Sequence, residues 1–161
     1  MRKEKGFTLL EVLISIFVLT VGVGSMLVLI SDSLQTISAT RNSVVAANLA
    51  QEGIEVVRGI RDSNWIDGNA YDTGITDGSY CVNFDSISLI NCAPDFDMYW
   101  NDGTSRYSHV STSALTTPFE REIIIQTGQI DSDGNSFIRV ESIVRWDARD
   151  IVAETHLYDW H

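Results

Sequence analysis

The chain has 161 residues and a formal charge of −11 at pH 7, with 22 Asp and Glu against 11 Lys and Arg. A chain of this length supports one modest domain besides any membrane segment. The acidic balance excludes nucleic acid as the expected partner, because phosphate contacts need clustered Lys and Arg. An acidic face is equally unsuited to anionic lipid.

The first thirty residues are the most informative. A basic head, Met1-Arg-Lys-Glu-Lys-Gly6, precedes Phe7-Thr-Leu-Leu-Glu11 and then an apolar run to Ile30. As an α-helix, Phe7–Ile30 would cover about 36 Å, enough to cross a hydrocarbon core of about 30 Å with some tilt. Arg2, Lys3 and Lys5 before the run place the N-terminus on the cytoplasmic side and residues 31–161 outside it. The run is too long for the apolar region of a removable secretory signal, normally about 7–15 residues. A small-residue cut near Ala46-Ala47 would fall deep in the next amphipathic stretch. The segment therefore reads as a signal-anchor. Glu11 is the only charge inside it, and a charged residue in a bilayer core costs about 2.5–3.5 kcal/mol on insertion scales. That cost makes Glu11 a functional candidate.

The string Lys5-Gly6-Phe7-Thr8-Leu9-Leu10-Glu11-Val12-Leu13-Ile14 resembles the processing motif of type IV prepilins and type II secretion pseudopilins, nearly residue for residue over positions 5–20. The resemblance covers about thirty residues firmly and the next thirty in character. It implies a prepilin peptidase that cuts after Gly6 and methylates the new amino group of Phe7. It also implies an apolar helix that first anchors the subunit and then packs against other subunits in a filament core. Glu11 would be the family's acidic residue at the fifth mature position. Physics offers two partners for it: the Phe7 amine of a neighbouring subunit, or the amine of its own chain, four residues away on the same helix face. Thr8 and Ser15 are expected to return hydrogen bonds to carbonyls of the preceding turn.

From Ser31 to about Arg61, the stripe Leu34, Ile37, Val45, Leu49, Val56/Val57, Ile60 repeats at helical spacing. No proline interrupts residues 1–93, so one helix is expected to run on to about residue 60, ended by Asp62-Ser63-Asn64. Gly22 and Gly24 are either its soft point or a small-residue packing face. The expected organisation is a leader at 1–6, a membrane or filament-core helix at 7–30, an amphipathic continuation at 31–62 and an extracytoplasmic head at 63–161.

Residues 67–118 are turn-rich, with strands expected near Tyr80–Phe84 and Ser86–Ile90. After Pro118 the alternation sharpens. Phe119, Arg121, Ile123 and Ile125 share one side of a first strand, Ile138, Val140, Val144 and Trp146 one side of a second, and Ile151, Ala153 and Leu157 lie on a last one. Asp131–Asn135 and Asp147–Asp150 supply the turns between them. These form a three-stranded antiparallel meander whose one apolar face needs a cover, and the apolar stripe of the long helix, Leu34 to Ile60, is the natural candidate. Trp65, Trp100, Trp146 and Trp160 are available for a small core. The expected fold class is α+β: a long N-terminal helix packed on a small antiparallel sheet.

Cys81 and Cys92 are the only cysteines, and in an exported domain they are expected to form a disulfide. No nucleophile elbow, papain-type pattern, phosphate loop or paired-histidine metal motif is present, so no enzyme activity, cofactor or metal is expected. Asp131-Ser-Asp-Gly-Asn135 has its glycine fourth instead of sixth, and Ser142 stands where a calcium loop needs glutamate. Two readings follow. The first is a structural subunit, a minor pilin or pseudopilin, whose partners are the prepilin peptidase, other subunits and the membrane. It would start in the cytoplasmic membrane and end in a pilus or pseudopilus. The second is a single-pass anchored binding or adhesion domain that does not polymerise.

Overall fold

The computed structural model describes residues 6, 8–112 and 114–159. The chain divides into two compact units, residues 1–41 and 42–161. A single helix, α1 (Leu9–Ile66), contributes to both.

In the first unit the helix passes Gly22 and Gly24 without a break, and neither glycine has a neighbour within 4 Å. Its apolar side chains are exposed throughout, from Leu9 at 80% to Ile30 at 46%. Leu34 and Ile37 are also exposed, which corrects the expectation that they cover a sheet.

In the second unit α1 ends later than Asp62-Ser63-Asn64. Ser63 Oγ donates to the Gly59 carbonyl, and Arg61 is tied to Asp62, so these polar residues sit comfortably inside the last turns. Gly68, with φ of 73°, closes the helix, its N–H donating to the Trp65 carbonyl. A left-handed glycine just past the last turn is the usual helix stop. Asn64 Nδ2 then donates to the Tyr71 and Thr73 carbonyls and holds the following loop.

Six strands make one antiparallel sheet: β1 (Gly78–Tyr80), β2 (Asp97–Asn101), β3 (Arg106–Ser108), β4 (Leu115–Ile130), β5 (Ser136–Trp146) and β6 (Arg149–Tyr158). The order is β3-β2-β4-β5-β6, with β1 also paired to β4. The expected β4-β5-β6 meander is present, and both turns fall where the sequence puts them. The strand expected at Tyr80–Phe84 is displaced to Gly78–Tyr80 and shares only Tyr80 with it, and Ser86–Ile90 is no strand. It keeps only the Cys81–Ile90 bridge. Pro118 lies inside β4 instead of before it. The β2–β4 register slips between Asp97 and Tyr99, so the missing N–H falls at an irregularity.

The core lies between α1 and one sheet face. Ala46, Leu49 and Ala50 pack with Met98, Phe119, Val144 and Trp146. Ile54, Val57 and Ile60 pack with Ile75, Val82, Ile123, Ile125, Ile138, Val140 and Leu157. Moving from Ala46 to Ile60 along α1, the partners advance from Phe119 to Ile125 on β4. Those strand residues cover about 20 Å, or roughly fourteen residues of helix. Within the second unit that cover starts at Ala46, with Val45 packed at its edge. Of the three described tryptophans, Trp146 is buried and Trp65 and Trp100 are half-buried; Trp160 lies outside the described residues.

Two features fix the helix on the sheet. A Cβ on Gly53 would lie 2.5 Å from Ser142 Oγ and 2.7 Å from Ile123 Cδ1, so only glycine allows this approach. Arg121 is fully buried on the apolar face and donates to Glu52 Oε1 (2.9 Å), the Leu49 carbonyl (3.0 Å) and the Val82 carbonyl (2.5 Å). Burial pushes its guanidinium down from its ordinary value, and Glu52 opposes that. The other sheet face is polar, with Arg139–Glu154, Arg139–Glu141, His156–Glu154 and Arg145–Glu122 pairs. Exposed pairs of this kind contribute about 0–1 kcal/mol each.

Candidate processing and assembly site

Gly6 is exposed, with no neighbour within 4 Å of the place a Cβ would occupy. Phe7, the expected methylation site, lies outside the described residues.

Thr8 does something the sequence reading missed. Its Oγ1 accepts from the Glu11 N–H at 3.3 Å, and its carbonyl accepts from Glu11 and Val12. Thr8 is thus the N-cap of α1, with Glu11 three residues on, the spacing Thr-x-x-Glu of a capping box. That pattern was legible in Thr8-Leu9-Leu10-Glu11 and fixes where the helix starts. Ser15, by contrast, donates back to the Glu11 carbonyl at 2.7 Å as expected, and Thr20 and Ser25 do the same to Phe17 and Val21. Hydroxyls satisfied by their own helix leave an outer surface that is apolar apart from Glu11. Glu11 is exposed in the first turn, where the helix dipole favours a negative charge. Among the described residues, α1 is the one helix long and apolar enough to cross a membrane.

The other expected residues lie in the head. Cys81 and Cys92 are joined in a disulfide with Cα atoms 5.9 Å apart. Asp131 serves its own turn: Oδ1 accepts from the Asp133 and Asn135 N–H groups and Oδ2 from Asn135 Nδ2, which holds its carboxyl below the usual range. Gly134, at φ 87°, completes the hairpin. A groove of about 550 Å³ lies between Glu52–Ser63 of α1 and Phe84–Ile87, with Arg106 stacked over Phe84.

Comparison with known proteins finds one family, the prokaryotic N-terminal methylation motif, matching residues 1–27. Neither the curated proteins nor the solved structures contain a match to the chain. Residues 1–27 thus carry the signal of type IV pilins and pseudopilins, and that signal supports a pilin-like protein processed by a prepilin peptidase. With the signal go membrane anchoring through the apolar helix and a head facing away from the cytoplasm. Signal and fold together point to a structural protein.

Proposed function

We propose that the chain is a subunit of an extracytoplasmic type IV pilus or secretion pseudopilus, and that it enters the filament as a minor component. The carrying observation is Gly6-Phe7-Thr8-Leu9-Leu10-Glu11 placed at the cap of a long, exposed, apolar helix. The peptidase cuts after Gly6 and methylates Phe7. The helix holds the subunit in the cytoplasmic membrane until neighbours replace lipid around it. In that bundle, Glu11 neutralises the Phe7 amine of an adjacent subunit, which removes two uncompensated charges and sets axial register.

Processing has a convenient chemical signature. Lys3 and Lys5 are the only lysines, so removal of residues 1–6 leaves the Phe7 amine as the chain's single aliphatic amine. Isotopic reductive methylation of membrane-extracted protein should add one labelled methyl, because the amine already carries another. The uncut chain would present three reactive amines. Gly6→Val should leave the uncut form, and a Gly6→Val chain still beginning at Phe7 would sink the assignment.

A further inference from the structure

Between Glu11 and Glu52, α1 carries only two charges, Asp32 and Arg41. Both are exposed, and among the described residues neither side chain takes part in an ion pair. They cannot serve each other. Nine residues of helix separate them, which is about 13.5 Å along the axis and two and a half turns, so they leave α1 on opposite sides.

The apolar surface leading to Arg41 is uncovered as well. Leu27, Ile30, Leu34 and Ile37 alternate at spacings of three and four, and Arg41 takes the next place in that stripe. All four apolar side chains are exposed. Leu34 and Ile37 stand past the end of the apolar run at Ile30, where the hydrocarbon core no longer shields them from water.

We propose that this stretch is a head-to-tail contact between copies of the chain, in which Arg41 of one copy pairs with Asp32 of the next and the Leu34–Ile37 stripe is covered. On the filament reading, which this contact presupposes, all copies cross the membrane in one sense and their helices run parallel. Position 41 of one copy then lies level with position 32 of a second that is displaced outward by about 13.5 Å. Because the two charges sit on opposite sides of α1, each copy meets one neighbour through Arg41 and another through Asp32. A contact between two different patches does not close as a two-fold does, and with an axial displacement it repeats as a helical array. The pairing of Glu11 with Phe7 spans four residues, about 6 Å, so it joins a different pair of neighbours.

Mutual capture of two differently tagged versions of the full chain, co-expressed with the prepilin peptidase and extracted in mild detergent, tests the contact. Wild-type copies should capture each other. Asp32→Arg copies by themselves, and Arg41→Asp copies by themselves, should lose capture about tenfold, because each sets like charges together. Mixed, the two variants should regain it, since each offers the charge that the other lacks. Misfolded chains would not recover on mixing, so the test does not depend on either variant alone. Undiminished capture in either variant, no recovery in the mixture, or no capture between wild-type copies would each overturn the proposal. The amine-labelling count on the same samples separates the two claims. Cut chains that fail to recover on mixing overturn this contact alone, whereas an uncut wild-type chain overturns the processing reading beneath it.

Discussion

Gly53 and Gly59 lie on the same helix and answer to opposite constraints. A methyl on Gly53 meets Ser142 and Ile123 at sub-van der Waals distance, whereas one on Gly59 meets nothing within 4 Å. Gly53→Ala should destabilise the head by about 1–3 kcal/mol through overpacking. Gly59→Ala should stabilise it by about 1 kcal/mol, since alanine restricts the unfolded helix segment at no steric cost. Urea denaturation of the two variants, followed by tryptophan fluorescence, reads both signs. Equal effects would mean that Gly53 is not the closest approach of helix to sheet. At this scale the sequence tells some things and hides others. The alternation after Pro118 put Arg121 on the buried face. It could not show that Leu49, Glu52 and Val82, from two distant segments, would satisfy the guanidinium there. Thr8 was the opposite case, a readable capping pattern overlooked because a membrane helix suggested back-bonding.

The β5–β6 hairpin turns on Asp147 and Ala148, at φ 45° and 60°, between the paired Trp146 and Arg149. Such two-residue turns usually carry glycine, and alanine in left-handed backbone costs about 1–2 kcal/mol. Ala148→Gly should recover about that much, visible as a higher denaturation midpoint, and no gain would argue against this turn geometry. Strands β4, β5 and β6 were readable because each is long enough for the two-residue period to repeat and each joins the next by a short turn. β2 and β3 were not, being five and three residues long. Their pairing with β4 depends on a register slip that no local pattern encodes. The strand expected at Ser86–Ile90 fails because its segment is held by the disulfide and by the His109 N–H on Asn83, not by a ladder.

For the whole molecule, the leader matters to the charge. Losing residues 1–6 removes three of the eleven Lys and Arg and one of the twenty-two Asp and Glu, leaving −13. Acid should weaken the head in two stages. His109, kept neutral when folded by burial and then by Arg121, loses its contribution as pH falls from 6.5 towards 4. Glu154, held down to about 2 by Arg139 and then His156, and Asp77 and Asp131, also held low, contribute above the usual carboxylate range and lose that contribution below it. Thermal midpoints should be level above pH 7 and fall below 6.5, with His109→Gln lacking the upper stage. Midpoints that rise between pH 7 and pH 5 would contradict this. The assembly claim rests on Glu11, which belongs to the first unit, while the core begins at Ala46 in the second. Glu11→Leu should therefore leave the head folded and the chain cut at Gly6. It should abolish recruitment, because a neighbour's buried Phe7 amine left unpaired costs about 3–5 kcal/mol. The direct measurement is co-purification of Glu11→Leu with filament components, at expression equal to wild type. Loss of co-purification with an intact, processed subunit is the expected result; undiminished co-purification would contradict the proposed pairing between subunits.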